Sequence, residues 1–82
     1  MKIRITERAL KFLASLPMKD CRIVGEHIDR LADHPHAKGD IKRLNTKKER
    51  YRMDVSDRYT IYYYPDGQEI IVNDIMTAEQ GT

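Results

Sequence analysis

Residues 42–52 of this chain (KRLNTKKERYR) carry six basic side chains and one acid. Guanidinium forks grip phosphate oxygens in pairs, and a dense positive field draws polyanions. Arg50, Arg52 and Arg58 are therefore the candidates for holding and neutralising phosphate. Lys42, Arg43, Lys47 and Lys48 form a basic approach to them. Tyr62 and Tyr64 offer phenol rings on which bases can stack. Metal-free cleavage of RNA uses the 2′-hydroxyl as an internal nucleophile. It needs a proton acceptor, cations around the crowded phosphorus and an acid for the departing oxygen. Arginine keeps its proton, so Arg52 and Arg58 fit charge stabilisation. Asp54 is the candidate base, with Lys47 or Lys48 able to act if desolvated, and Tyr62 or Tyr64 the candidate donor. The alternative is a solvated basic loop beside two cross-strand tyrosines.

The net charge of +2 conceals this cluster. Residues 1–41 sum to +2, residues 42–52 to +5 and residues 53–82 to −5. With 40% hydrophobic and 34% charged residues among 82, the composition fits one soluble domain, 1–82, and not a disordered chain. No apolar run is long enough for a membrane span or a signal peptide, so the expected location is the cytoplasm with no membrane partner. Cys21 has no second cysteine to pair with. It falls on an apolar stripe and reads as a small buried hydrophobe. His27, His34 and His36 lack the spacing of a ligand set, so neither a metal nor another cofactor is expected.

These residues need elements to position them. Lys2–Ile5 alternates as a short strand. Thr6 can cap a helix over 7–16, with Leu10, Leu13 and Leu16 as its stripe. Pro17 breaks it, and a second helix over 18–33 carries Cys21, Val24, Ile28, Leu31 and Ala32. Gly25 inside that helix suggests close packing. Tyr51, Met53 and Val55 then alternate with Arg50, Arg52 and Asp54. A turn at Ser56-Asp57 leads to a β-rich run over 58–64, and Pro65-Asp66-Gly67 to a third strand over 69–75. The order is β-α-α-β-β-β. The expected fold is α+β in two layers, with the N-terminal strand and helical hairpin packed on one face of a small antiparallel sheet.

Strand parity then makes a specific claim. With Tyr51, Met53, Val55, Tyr59, Ile61 and Tyr63 turned toward the helices, the opposite face collects Arg50, Arg52, Asp54, Arg58, Thr60, Tyr62 and Tyr64. Three guanidinium groups would share one uncovered surface.

This order of elements, the proline-joined helices, the Leu31-Ala32-Asp33-His34-Pro35 exit, Lys42-Arg43-Leu44, Tyr51-Arg52-Met53-Asp54-Val55 and Tyr59-Thr60-Ile61-Tyr62-Tyr63 together resemble the RelE/ParE toxin superfamily. The resemblance covers nearly the whole chain. It implies the toxin of a toxin–antitoxin system, held by a cognate antitoxin. In the RelE-like branch it implies a metal-independent mRNA endonuclease working on the ribosome. In the ParE-like branch it implies a DNA gyrase inhibitor, and a third alternative is a catalytically weakened relative that only binds antitoxin or RNA. Arg52 matches the family's basic position after the first strand tyrosine. Lys42, Lys47 and Lys48 match its lysine-rich approach. The arginine usual after the second tyrosine is Thr60 here, with Arg58 two positions earlier. The run Ile75-Met76-Thr77-Ala78-Glu79-Gln80-Gly81-Thr82 has none of the basic or aromatic residues that RelE-type ribonucleases place there.

Overall fold

The structure, a computed structural model, describes residues 2–32, 41–44 and 50–78, with the backbone alone for 41–43. Five strands and two helices follow in the order β1 (Lys2–Ile5), α1 (Glu7–Ser15), α2 (Met18–Arg30), β2 (Ile41–Arg43), β3 (Tyr51–Val55), β4 (Tyr59–Asp66) and β5 (Glu69–Thr77). They build one sheet in the order β1-β5-β4-β3-β2, backed on one face by the helices. The α+β, two-layer architecture expected from periodicity is what the chain adopts.

Two features of the sheet differ from that expectation. It is mixed, because β1 joins the edge parallel to β5, with Ile3 beside Ile70 and Ile5 beside Val72. Parallel neighbours need a long crossover, which here is everything between the first strand and the last. The second difference is β2, which adds an edge strand where none was expected. Three residues are too few for alternation to register.

Thr6 starts α1 as its sequence position suggests. Its hydroxyl accepts the Ala9 N–H at 3.3 Å and donates to the Asn73 carbonyl at 3.0 Å. The buried side of α1 is Ala9, with Phe12, Leu13 and Leu16 partly covered, while Leu10 is 52% exposed. Of the expected stripe, Leu13 and Leu16 pack against the core, while Ala9 takes the place expected for Leu10. At 100° per residue, positions 9, 12, 13 and 16 stay within one face, whereas a strict three-residue step drifts off it.

Val24, Ile28 and Leu31 of α2 meet Met53, Val55, Ile61, Tyr63, Ile70, Val72 and Ile75 in the core. Cys21 on the same helix is only half-buried. Gly25 is not a close-packing site. A Cβ built there meets nothing within 4 Å.

The β3–β4 connection is tight and left-handed. Ser56 and Asp57 take φ of 52° and 58°, and the Arg58 N–H closes on the Val55 carbonyl at 3.0 Å. Asx and Ser side chains tolerate this conformation better than bulky ones. The second hairpin turns at Gly67 (φ 64°) rather than at Pro65, which remains in β4 opposite Ile70.

Candidate nucleic-acid interface

Register across the uncovered face sets the rows of the candidate site. Lys42 pairs with Arg52, Arg52 with Tyr62, and Tyr62 with Asp74, giving one line across four strands. The next line is Asp54, Thr60 and Met76. Neighbouring strands lie about 4.8 Å apart, so the side chains of Arg52, Tyr62 and Asp74 are within reach of one another. Arg50, just before β3, lays its guanidinium 4.7 Å from the centre of the Tyr64 ring. That cation–π contact steadies the arginine without consuming its hydrogen-bond donors. Helix-facing parity also holds, since Met53, Val55, Tyr59, Ile61 and Tyr63 are all buried.

Arg52 is half-exposed, and its Nε lies 3.6 Å from Asp54 Oδ1. That is too long for a hydrogen bond, and the Nε is shielded from solvent with no hydrogen-bond partner among the described residues. The Thr60 hydroxyl donates to the same Asp54 oxygen at 3.5 Å, a long contact. Asp54 is thus a local counter-ion for Arg52, fixed on the same strand two residues away. Thr60, where the resemblance leads one to expect an arginine, is buried at 7% exposure.

Arg58 departs from the expected surface. It sits in the turn, and its guanidinium is 3.6 Å from Asp20 Oδ1 on α2. It also lies 6.0 Å from the ring of Tyr59, a helix-facing residue. Arg58 precedes the first residue of β4 and follows two left-handed residues, so the strand's two-residue alternation does not extend to it. The expectation of three guanidiniums on one face is therefore corrected to two, Arg50 and Arg52. Arg58 belongs with the helical layer.

Asp20 is the residue that sequence reading missed at this corner. Its side chain is 9% exposed, and Oδ2 accepts the Tyr59 hydroxyl at 2.6 Å. An acid in the first turn of a helix reads as an ordinary partner of the helix dipole, so nothing in the pattern signals a bond across the core. That hydrogen bond is the main reason the Tyr59 phenol titrates above its ordinary value, with burial and the Asp20 charge adding to it and Arg58 opposing. Burial, with a smaller effect from Tyr51 stacked 5.5 Å away, pushes the Tyr63 phenol up to about 12.

Lys42 and Arg43 lie in β2, in register with Arg52 and Tyr51. Lys47, Lys48, His34 and His36 lie outside the described residues. His27 turns its Nδ1 to the Ile23 carbonyl at 2.8 Å. Among the described residues no group of three or more His, Cys, Asp or Glu side chains could hold a metal, and no helix is long and apolar enough to cross a membrane.

The arrangement is a mixed sheet with a helical hairpin on one side and an arginine–tyrosine surface on the other. This is the fold of the RelE/ParE toxins. The isolated Escherichia coli RelE toxin superposes with a TM-score of 0.81 at 18% identity, covering 98% of this chain and 86% of that one. RelE in the archaeal RelE–RelB complex of Pyrococcus horikoshii gives 0.78 at 24% identity, over 98% and 97%. The YoeB/ParE toxin of Agrobacterium tumefaciens gives 0.76 at 14% identity, over 96% and 100%. At these identities the likeness is one of fold. No protein-family model and no curated protein matches the sequence.

Proposed function

We propose that this chain is the toxin of a toxin–antitoxin pair, and that it stops translation in the cytoplasm by laying its open sheet face against mRNA on the ribosome. The observation that carries this is the line Lys42, Arg52, Tyr62, with Arg50 stacked on Tyr64, on a face that no helix covers. Guanidinium groups beside half-buried phenol rings suit a single strand, whose phosphates and bases they meet separately. As a metal-independent endonuclease, the chain would use Arg52 to stabilise charge at phosphorus. Asp54 would accept the 2′-hydroxyl proton and Tyr62 would donate to the leaving oxygen. The partner proposed for the free toxin is a cognate antitoxin, as in the RelE–RelB complex of similar fold.

A second reading is favoured by the counter-ion on Arg52, the buried Thr60 and the capture of Arg58 by Asp20. These leave a binding surface with few free cations, as suits a relative that binds without cutting or a DNA gyrase inhibitor. Induction of the chain in growing cells separates the readings. Translation arrest with cut message, relieved at least tenfold by Arg52→Ala, is the expected result for a barrier lowered by about 1.4 kcal/mol or more. Arrest with intact message and a DNA-damage response would move the target to gyrase.

A further inference from the structure

β5 carries an irregularity that bears on what the face recognises. Its register with β4 runs Tyr62 to Asp74 and then Tyr63 to Val72, leaving Asn73 as an extra residue. In a regular strand Asn73 and Asp74 would point to opposite faces. Here both are half-buried between the core residues Val72 and Ile75, and both line one open depression of about 230 Å³ whose lining also includes Leu44, Arg50, Tyr51, Tyr62, Tyr63 and Met76. The bulge is anchored rather than loose. The Thr6 N–H bonds to the Val72 carbonyl at 3.0 Å, and the Thr6 hydroxyl to the Asn73 carbonyl at 3.0 Å. Bulges commonly re-aim a side chain beside a functional surface.

Building on the RNA reading, we propose that this pocket holds one unstacked guanine, read on its Watson–Crick edge by Asp74 and Asn73. The volume falls below the roughly 300–1,000 Å³ of drug-sized pockets and suits a single base. Tyr62 supplies an aromatic wall, and Leu44 and Met76 supply aliphatic ones. The Asp74 side chain is 19% exposed. Its Oδ1 accepts the Ile75 N–H at 3.0 Å, and its Oδ2 lies 3.7 Å from Arg8. Each carboxylate oxygen has two acceptor sites, so both retain capacity. The Asn73 amide and the Tyr62 hydroxyl have no hydrogen-bond partner among the described residues.

Guanine alone presents two adjacent N–H donors, N1 and N2, to a carboxylate, with O6 beside them for an amide or guanidinium donor. Adenine and cytosine place a ring acceptor next to their single amino group, which a carboxylate repels. Uracil sets one donor between two carbonyls. The chemistry of the wall thus selects one base of four.

The test measures binding of fluorescein-labelled hexauridylate bearing one guanosine, adenosine or inosine at the third position. Inosine keeps N1–H and O6 but lacks the N2 amine. The unaltered protein should bind the guanosine oligomer about tenfold more tightly than the adenosine one, with inosine between them. Asp74→Asn should bring guanosine and adenosine within about twofold of each other. Equal affinity for all three oligomers, lowered together by Arg52→Ala, would overturn the pocket and leave the RNA reading standing. Binding of none would overturn both. Should Asp74→Asn fail to fold by circular dichroism, the guanosine–inosine difference on the unaltered protein decides alone, and its absence overturns the proposal.

Discussion

Two arginine–aspartate pairs of this protein have the same closest separation, 3.6 Å, and differ in nearly everything else. Arg58 and Asp20 join the β3–β4 turn to the first turn of α2. There Asp20 is almost buried and also takes the Tyr59 hydroxyl. Arg52 and Asp54 are neighbours on one strand, each more than a third exposed and neither held by a short hydrogen bond. In the first pair only the acid is buried, Arg58 being 64% exposed, so it is Asp20 with its Tyr59 hydrogen bond that ties the hairpin to the helix. The second pair is partly exposed on both sides and local to one strand, so it can be exchanged for a ligand at small cost. Charge separation alone does not distinguish structure from function. Burial and the remaining hydrogen bonds do.

Removing the buried acid should give the largest effect. Asp20→Ala leaves the Tyr59 hydroxyl without its acceptor and should lower unfolding free energy by roughly 2–3 kcal/mol. Asp54→Ala should change it by less than about 1 kcal/mol. Urea denaturation of both variants measures the contrast, and equal losses would erase it. A second effect is confined to alkali. In the unfolded chain Tyr59 and Tyr63 titrate near 10, while the folded chain holds both protons to higher pH. As pH rises from about 10 to 12 the unfolded state releases protons that the folded state keeps, so stability is full below 10 and falls across that window. A urea midpoint that stays flat from pH 9 to 12 would show that neither phenol is retained in its neutral form. The smallest change is a gain. Gly25→Ala adds a Cβ into open space on α2 and should raise stability by about 0.5–1 kcal/mol, sharpening the Asp20 measurement by firming the same helix.

The comparison also marks where sequence stops being informative. Alternation from Tyr51 to Val55 and from Tyr59 to Tyr63 assigns each face correctly, because a half-buried strand repeats every two residues. The helical hairpin is equally legible from its apolar stripe and Pro17. Arg58 departs from the expected face because it lies in the turn before β4, where strand alternation does not apply. Asp74 was missed because three consecutive apolar residues precede it and the bulge at Asn73 shifts the phase. Asp20 gives no local signal of its role, since its partner Tyr59 is 39 residues away. Local patterns give the elements. Contacts between distant segments decide which polar side chains meet.

The pairing of β1 with β5 brings residues 2–5 against residues 69–72. An edge built from segments so far apart in sequence cannot form until residues 69–72 have been made, and long-range pairing of this kind slows folding. Until β5 has been made, β1 has no partner, and Ile3 and Ile5 lack the strand that holds Ile70 and Val72 beside them.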